Sequence, residues 1–254
     1  GVIAALLMMV TLWLWPEPLH ALPIKPAAFL ALSGLIGIAI GDSAYFAALR
    51  RIGPNRTLLL ESLAPPLSGL LALVLLGSTL PLLSWLGVFV TTAGVTWVVM
   101  KPNPAGQLDW GGIGYGLLAS VCQATGVVIS HYALVDSGIP PLYGATLRLA
   151  TGTLVIALWL GLRQPQALLE LPAKLYQQSA RLRLLLGILV GTYLALWLQQ
   201  IALKLANPAV AQTLLATSPL FLLPLALLRG ERLGWRLALG TLIALLGITF
   251  FFWR

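Results

Sequence analysis

Two acids interrupt stretches of sequence that are otherwise almost wholly apolar. Asp42 sits in LIGIAIGDSAYFAAL and Glu61 in TLLLESLAPPL. Charged side chains inside such runs are costly and default to functional roles. They flank the basic turn Arg50-Arg51-Ile52-Gly53-Pro54-Asn55-Arg56. Each lies about ten residues from the middle of the turn, so at a rise of about 1.5 Å per residue they reach similar depths on antiparallel neighbours. The spacing puts Asp42 on one helix face with Ile38, Tyr45 and Leu49, and Glu61 on one with Pro65 and Ser68. A carboxylate held away from water can load and release a proton, and two that interact titrate as a pair. The chemistry implied is a substrate or proton site. The competing reading is structural: a pair with Arg51, Arg56 or Arg148, or a Glu61 near a helix start, where the dipole favours negative charge.

Other polar groups recur at helical spacing. Arg148 stands about two turns into its apolar stretch, where a solute carboxylate or Asp42 could be its partner. The plainer alternative is an arginine snorkelling to the interface. Tyr193, Trp197 and Gln200 fall at i, i+4 and i+7. Together they would line one helix face, suited either to an amphipathic organic solute or to simple packing. Gln123 and Gln212 are mid-helix amides, able to bond a solute or a neighbouring backbone. His131, near a helix end, reads as interfacial. None of these has metal-ligand spacing, and no cofactor is expected. The single Cys122 leaves no internal disulfide and no cysteine metal cluster.

The elements that must position these residues follow from composition. Hydrophobic residues make up 59% of the 254 and charged residues only 9%, whereas a soluble chain carries about a quarter charged. Apolar runs of roughly 20 residues recur, each enough to cross a hydrocarbon core of about 30 Å. The fold class is therefore an all-α polytopic membrane protein. Spans are expected near 27–49, 57–76, 82–100, 111–132, 142–162, 184–203, 209–228 and 235–253, preceded by a shorter apolar stretch over 1–15. The second of these should bend at Pro65-Pro66. Asn207-Pro208 reads as an N-cap followed by proline at the first helical position. The loop 163–183 carries leucines among charges and suggests a short interfacial helix. Gly37–Gly41, Gly112–Gly116 and Gly187–Gly191 are spaced for close helix packing.

The chain is also written twice. One offset of 153 sets Gly34 on Gly187, Pro66 on Pro219, Leu67 on Leu220, Gly77 on Gly230, Leu80 on Leu233, Gly87 on Gly240 and Gly94 on Gly247, without a gap. Such register argues for an internal duplication. It divides the chain into a first repeat over 1–100, a linker over 101–110 (KPNPAGQLDW) and a second repeat over 111–254. Extending the alignment upstream leaves the first repeat short of its own first helix, by roughly 40 residues if the copies match in full. The expectation is a ten-helix fold of two five-helix units with inverted topology, of which about nine helices are here. Loop charge orients it. Arg50, Arg51, Arg56, Lys101, Arg163, Lys174, Arg181, Arg183, Arg229, Arg232 and Arg236 fall on one side, against Lys25, Lys204 and Arg254 on the other. The richer side should be cytoplasmic.

These residues resemble a known family. AYFAALRRIGPNRTLLLESLAPPLSGLLALVLLG is similar to the repeat of the EamA branch of the drug/metabolite transporter superfamily: a tyrosine-bearing helix ending in Ala-Leu-basic, a proline in the next helix, then a short turn and a Trp/Gly-rich span. In the second copy Leu228-Arg229-Gly230-Glu231-Arg232-Leu233 resembles the family's turn, where the first has Leu76-Gly77-Ser78-Thr79-Leu80. Arg148, with Ala150 and Leu154, resembles the start of the family's seventh helix. The resemblance covers essentially the whole chain. It implies ten helices, an inner-membrane location, and export or uptake of small metabolites. It also implies both termini in the cytoplasm, which would put the Arg50–Arg56 turn outside, opposite to the charge count.

The function expected is a secondary-active transporter of small organic metabolites working by alternating access, with proton coupling through the acids. Neutral, zwitterionic or cationic solutes fit better than phosphate esters, which would need several deep basic residues. The expected partners are the lipid bilayer and a small organic solute, not nucleic acid; a homodimer is left open. Two other classes compete. A membrane-embedded enzyme acting on lipid-linked substrates would need clustered carboxylates for metal and phosphate, and no DxxxD or HExxH motif occurs. A non-transporting scaffold would leave the two acids without a role. GxxxxGK[ST] is also absent, so the chain carries no ATP site of that type.

Overall fold

The computed structural model describes residues 1–14, 23–99, 109–135, 137–163, 181–217 and 235–252. Among these residues all regular structure is helical. The helices are α1 (Val2–Leu14), α2 (Ile24–Gly34), α3 (Ser43–Glu61), α4 (Ala64–Leu76), α5 (Leu82–Val99), α6 (Trp110–Val135), α7 (Pro141–Arg163), α8 (Arg181–Ile188), α9 (Ala195–Leu205), α10 (Pro208–Ala216) and α11 (Trp235–Phe252). Two π-helical segments, Leu35–Asp42 and Leu189–Leu194, join α2 to α3 and α8 to α9. Five helical stretches are long and apolar enough to cross a membrane: Ile24–Pro54, Arg56–Leu76, Trp110–Val135, Pro141–Arg163 and Leu184–Leu205. Large apolar side chains face outward, among them Trp13, Val74, Leu82, Leu162 and Leu205. Soluble proteins avoid such continuous apolar surfaces. Here they suit acyl chains. The loop 164–180, expected to hold an interfacial helix, and most of the linker lie outside the described residues.

Local chemistry sets the breaks. α3 is interrupted at Gly53, whose φ of 77° and ψ of 171° no side-chain-bearing residue readily adopts, so the expected basic turn forms there. α4 ends on Gly77 in the left-handed region at φ 62°. There the Gly77 N–H reaches Leu73 O and the Ser78 N–H reaches Ala72 O, closing the last turn. α10 opens as expected: Asn207 Oδ1 accepts from Ala209 N at 3.0 Å and Pro208 takes the first helical position. Asp109 caps α6 in the same way, accepting from Gly112 N at 3.1 Å.

The helices form two compact units, and each draws on both halves of the sequence. The first comprises residues 1–39 and 129–205. In it α7 packs against α1, α2 and α9, around a core of Ala4, Ala5, Met8, Ile38, Leu142, Ala145 and Leu149. α2 and α7 approach backbone to backbone. A Cβ added at Gly34 would collide with the Arg148 carbonyl, and one at Gly152 would meet Ile38 and the Gly34 carbonyl.

The second unit comprises residues 40–128 and 206–254. Its closest pair is α5 with α11, which are the same helix of the two sequence copies. A Cβ at Gly87 would lie 2.8 Å from Gly247 O, and one at Gly94 would lie 2.7 Å from Gly240 O. Midway, Thr91 Oγ1 donates to Ala244 O at 3.3 Å, across a separation of 153 residues. These contacts exchange under the repeat offset, and they run in opposite directions along the two helices. Equivalent helices are thus antiparallel about a local two-fold, the arrangement an inverted repeat demands. Other anticipated glycine pairs divide. Gly112 and Gly116 pack tightly against Arg51, Ile52 and Leu60, but Gly187 and Gly191 have nothing within 4 Å of an added Cβ among the described residues.

Candidate functional site

The expected residues fall into two groups, one in each unit. Asp42, Tyr45, Glu61, Gln123 and Gln212 belong to the second unit, and Arg148, Tyr193, Trp197 and Gln200 to the first.

In the second unit the Asp42 and Glu61 carboxylates are within electrostatic reach of each other and of the Tyr45 hydroxyl. Their settings differ from expectation. Ile38 is buried whereas Asp42 is exposed. Both lie in the π-helical segment, whose hydrogen bonds skip five residues, so the usual four-residue stacking is lost. Glu61 is half-buried, the last residue of α3 and three residues before the start of α4 at Ala64. Pro65-Pro66 have no N–H to offer the carbonyls of Glu61 and Ser62 four residues earlier, so the ladder is interrupted between α3 and α4, while Ser62 and Leu63 keep right-handed helical geometry and Arg56–Leu76 remains one span. Leu63 N turns back to Leu60 O at 3.1 Å. Ser120 Oγ donates to the same carbonyl at 2.7 Å, and Ser62 Oγ lies 2.9 Å from Thr96 Oγ1. Hydroxyls thus reach the Leu59 and Leu60 carbonyls just ahead of the proline pair, inside an apolar span. Arg51, one of the suggested ion-pair partners, lies 3.9 Å from Asp109 and stacks 5.2 Å over the Tyr115 ring. Gln212 is buried and its Oε1 has no hydrogen-bond partner among the described residues. Gln123 is half-buried on α6.

In the first unit Arg148 is 1% exposed. The snorkelling alternative is overturned, because the guanidinium is enclosed by protein instead of reaching a surface. Its Nη1 donates to Gln199 Oε1 at 3.4 Å. Gln200, fully buried beside it, accepts from Ser130 Oγ at 2.6 Å through Oε1. Tyr193 and Trp197 meet edge to face with centroids 6.0 Å apart and pack on the apolar core of the unit. The Tyr193 hydroxyl pairs with Thr11 at 2.9 Å. His131 Nδ1 lies 2.6 Å from Leu203 O, and Lys204 Nζ donates to Ile139 O at 3.0 Å. Gln199 and Ser130 were not anticipated. Gln199 adjoins Gln200 and falls outside the i, i+4, i+7 stripe, and only its position opposite Arg148 marks it. Ser130 carries no sequence signal beyond being polar in a span.

The π-helical segments deepen the duplication. Shifted by the repeat offset, 189–194 falls inside 35–42. In both copies the π segment carries or adjoins a candidate residue, Asp42 in one and Tyr193 in the other. Wide turns of this kind concentrate at functional sites. Among the described residues no three of His, Cys, Asp and Glu converge as metal ligands would.

Known proteins bear on this arrangement. No curated protein matches the sequence. A protein of known crystal structure shares the fold with a TM-score of 0.64 and 19% sequence identity, over 98% of this chain and 93% of its own. The model of the EamA-like transporter family matches twice, over residues 1–100 and again over 110–253. With its two copies of one helical repeat and its apolar spans, this chain is a multi-pass membrane protein that belongs to the EamA-like transporter family.

Proposed function

We propose that the protein is a secondary-active transporter that moves small organic metabolites across the inner membrane by alternating access, with Asp42 and Glu61 coupling the flux to protons. The observation that carries this reading is the pair of π-helical segments at matching places in the two copies, one ending in Asp42 and the other holding Tyr193. Wide π turns concentrate at functional sites, and secondary transporters built from inverted repeats bind near the interface of the two copies. The two acids supply the exchangeable charge, and competition between proton and solute for them gives exchange. A scaffold would leave this buried polar chemistry unused.

The test is solute flux into proteoliposomes with and without a pH gradient. A screen of small neutral, zwitterionic and cationic metabolites first identifies a transported solute. Asp42→Asn and Glu61→Gln should then lower gradient-driven accumulation by about tenfold or more, equivalent to about 1.4 kcal/mol in the barrier, while the protein still expresses and folds. Undiminished gradient-driven flux in both variants would remove the acids from the mechanism.

A further inference from the structure

Two apolar spans reach one membrane surface at the turn 50–56. Ile24–Pro54 ends there and Arg56–Leu76 begins there, with the helix broken between them at Gly53. Arg50 and Arg51 close the first span and Arg56 opens the second, so three guanidinium groups gather at one level. A third span, Trp110–Val135, starts at the same level, because Asp109, the residue before it, lies 3.9 Å from Arg51. The three arginines are not equivalent. Arg51 is engaged: it pairs with Asp109, stacks 5.2 Å over the Tyr115 ring and lies on the bare backbone of Gly111, where an added Cβ would overlap Nη1. Arg50 is exposed and Arg56 is half-buried. Neither has an ion pair, hydrogen bond or ring contact among the described residues. The nearest acids along the chain, Glu61 and Asp42, stand five and eight residues further into the spans, about 8 and 12 Å deeper at a rise of about 1.5 Å per residue. Trp110, 75% exposed, marks the level. Tryptophan collects where acyl chains give way to headgroups, so Arg50 and Arg56 stand in the headgroup layer.

We propose that this turn is a docking surface for an anionic phospholipid: Arg50 and Arg56 hold the headgroup phosphate, and Trp110 packs beside the glycerol and upper acyl chain. Charge complementarity and depth select this occupant. Guanidinium groups meet phosphate oxygens through paired, charge-assisted N–H bonds. Each basic residue at the surface favours an anionic lipid by about fivefold. A zwitterionic lipid also brings a phosphate, but its own ammonium group cancels the charge and is repelled by the same arginines. A soluble anion would lack the apolar contact that Trp110 and the adjoining spans offer. The Arg51–Asp109 pair ties α3 to the start of α6 and so keeps Trp110 beside the turn. Neither the transporter reading nor the side of the membrane on which the turn lies enters into this assignment.

Quenching by brominated lipids tests it. The full chain is reconstituted into phosphatidylcholine bilayers containing rising fractions of brominated phosphatidylglycerol, whose bromines quench nearby indoles. Subtracting the signal of Trp110→Phe isolates Trp110 from the other tryptophans. Brominated phosphatidylcholine in the same bilayers gives the reference. Trp110 should be quenched as though phosphatidylglycerol were enriched beside it by about fivefold or more. Arg50→Gln and Arg56→Gln should each lower that enrichment, and the double variant should bring it close to the phosphatidylcholine level. Arg50→Lys combined with Arg56→Lys keeps the charge and should keep most of the enrichment. Melting temperatures in detergent report that each variant folds. Equal quenching of the native chain by the two lipids overturns the proposal, as does undiminished enrichment in the double glutamine variant. Loss of the enrichment in excess inorganic phosphate at constant ionic strength would assign the arginines to a soluble anion and overturn the lipid as occupant.

Discussion

Gly34 and Gly187 are the same residue in the two copies of the repeat, each just ahead of a π-helical segment, and alanine should affect them in opposite ways. At Gly34 the new methyl would overlap the backbone carbonyl, carbonyl carbon and Cα of Arg148, none of which can rotate away. α2 and α7 must move apart, and forced overpacking of this kind costs about 1–3 kcal/mol. At Gly187 a methyl meets nothing within 4 Å. Alanine is favoured over glycine within a helix by about 0.8–1.0 kcal/mol, a gain common to both sites, so the difference between the variants is the steric cost alone. For a chain of this size each kcal/mol moves the melting temperature by about 2–4 °C, so Gly34→Ala should melt roughly 2–12 °C below Gly187→Ala. Gly187→Ala itself should melt at or slightly above the native chain. The assay is thermal unfolding in detergent micelles followed by tryptophan fluorescence, for which the chain carries nine reporters. Equal shifts in the two variants would refute the argument that close α2–α7 approach, and not the repeat itself, requires glycine at Gly34.

Asn207→Ala removes the cap on Ala209 N and the 2.8 Å bond from Nδ2 to Ser78 Oγ. Loss of the cap alone should lower stability by about 0.5–2 kcal/mol, read as a lower melting temperature; an unchanged value would show the cap to be dispensable. Arg51→Ala breaks a pair whose side chains are 49% and 42% exposed. Such exposed pairs are worth about 0–1 kcal/mol, so a small thermal shift is expected and a collapse of folding would contradict it. Reporter fusions after Gly53 should read cytoplasmic and those after Gly77 external. The reverse would place the Arg50–Arg56 turn outside, as the family resemblance implies.

The fold was largely legible because its determinants are local. Apolar length sets where a helix can cross a membrane. Asn207-Pro208 starts α10 and Gly77 ends α4 through their own backbone chemistry. Pro65-Pro66 announced a bend, although not that the regular ladder would pause at Ser62 and Leu63 just after Glu61. The site was legible only in part. Asp42, Glu61, Gln200 and Arg148 stood out as polar residues in apolar runs. Their surroundings did not, because helical-wheel spacing assumes uniform α-helix, and the π-helical segments shift every face beyond them.

The sequence by itself determined the class of protein, the approximate spans, the duplication and the family. All follow from hydropathy, from residues that cannot continue a helix, and from a repeat read in register. Only the tertiary structure decided which of two equivalent glycines is pressed against a neighbour, that Arg148 is enclosed instead of snorkelling, and that Ser130 holds one end of Gln200. Those outcomes depend on which segments, far apart in the chain, come to lie side by side. Packing between helices is set by the shapes of both partners, and one helix's sequence holds only half of that information.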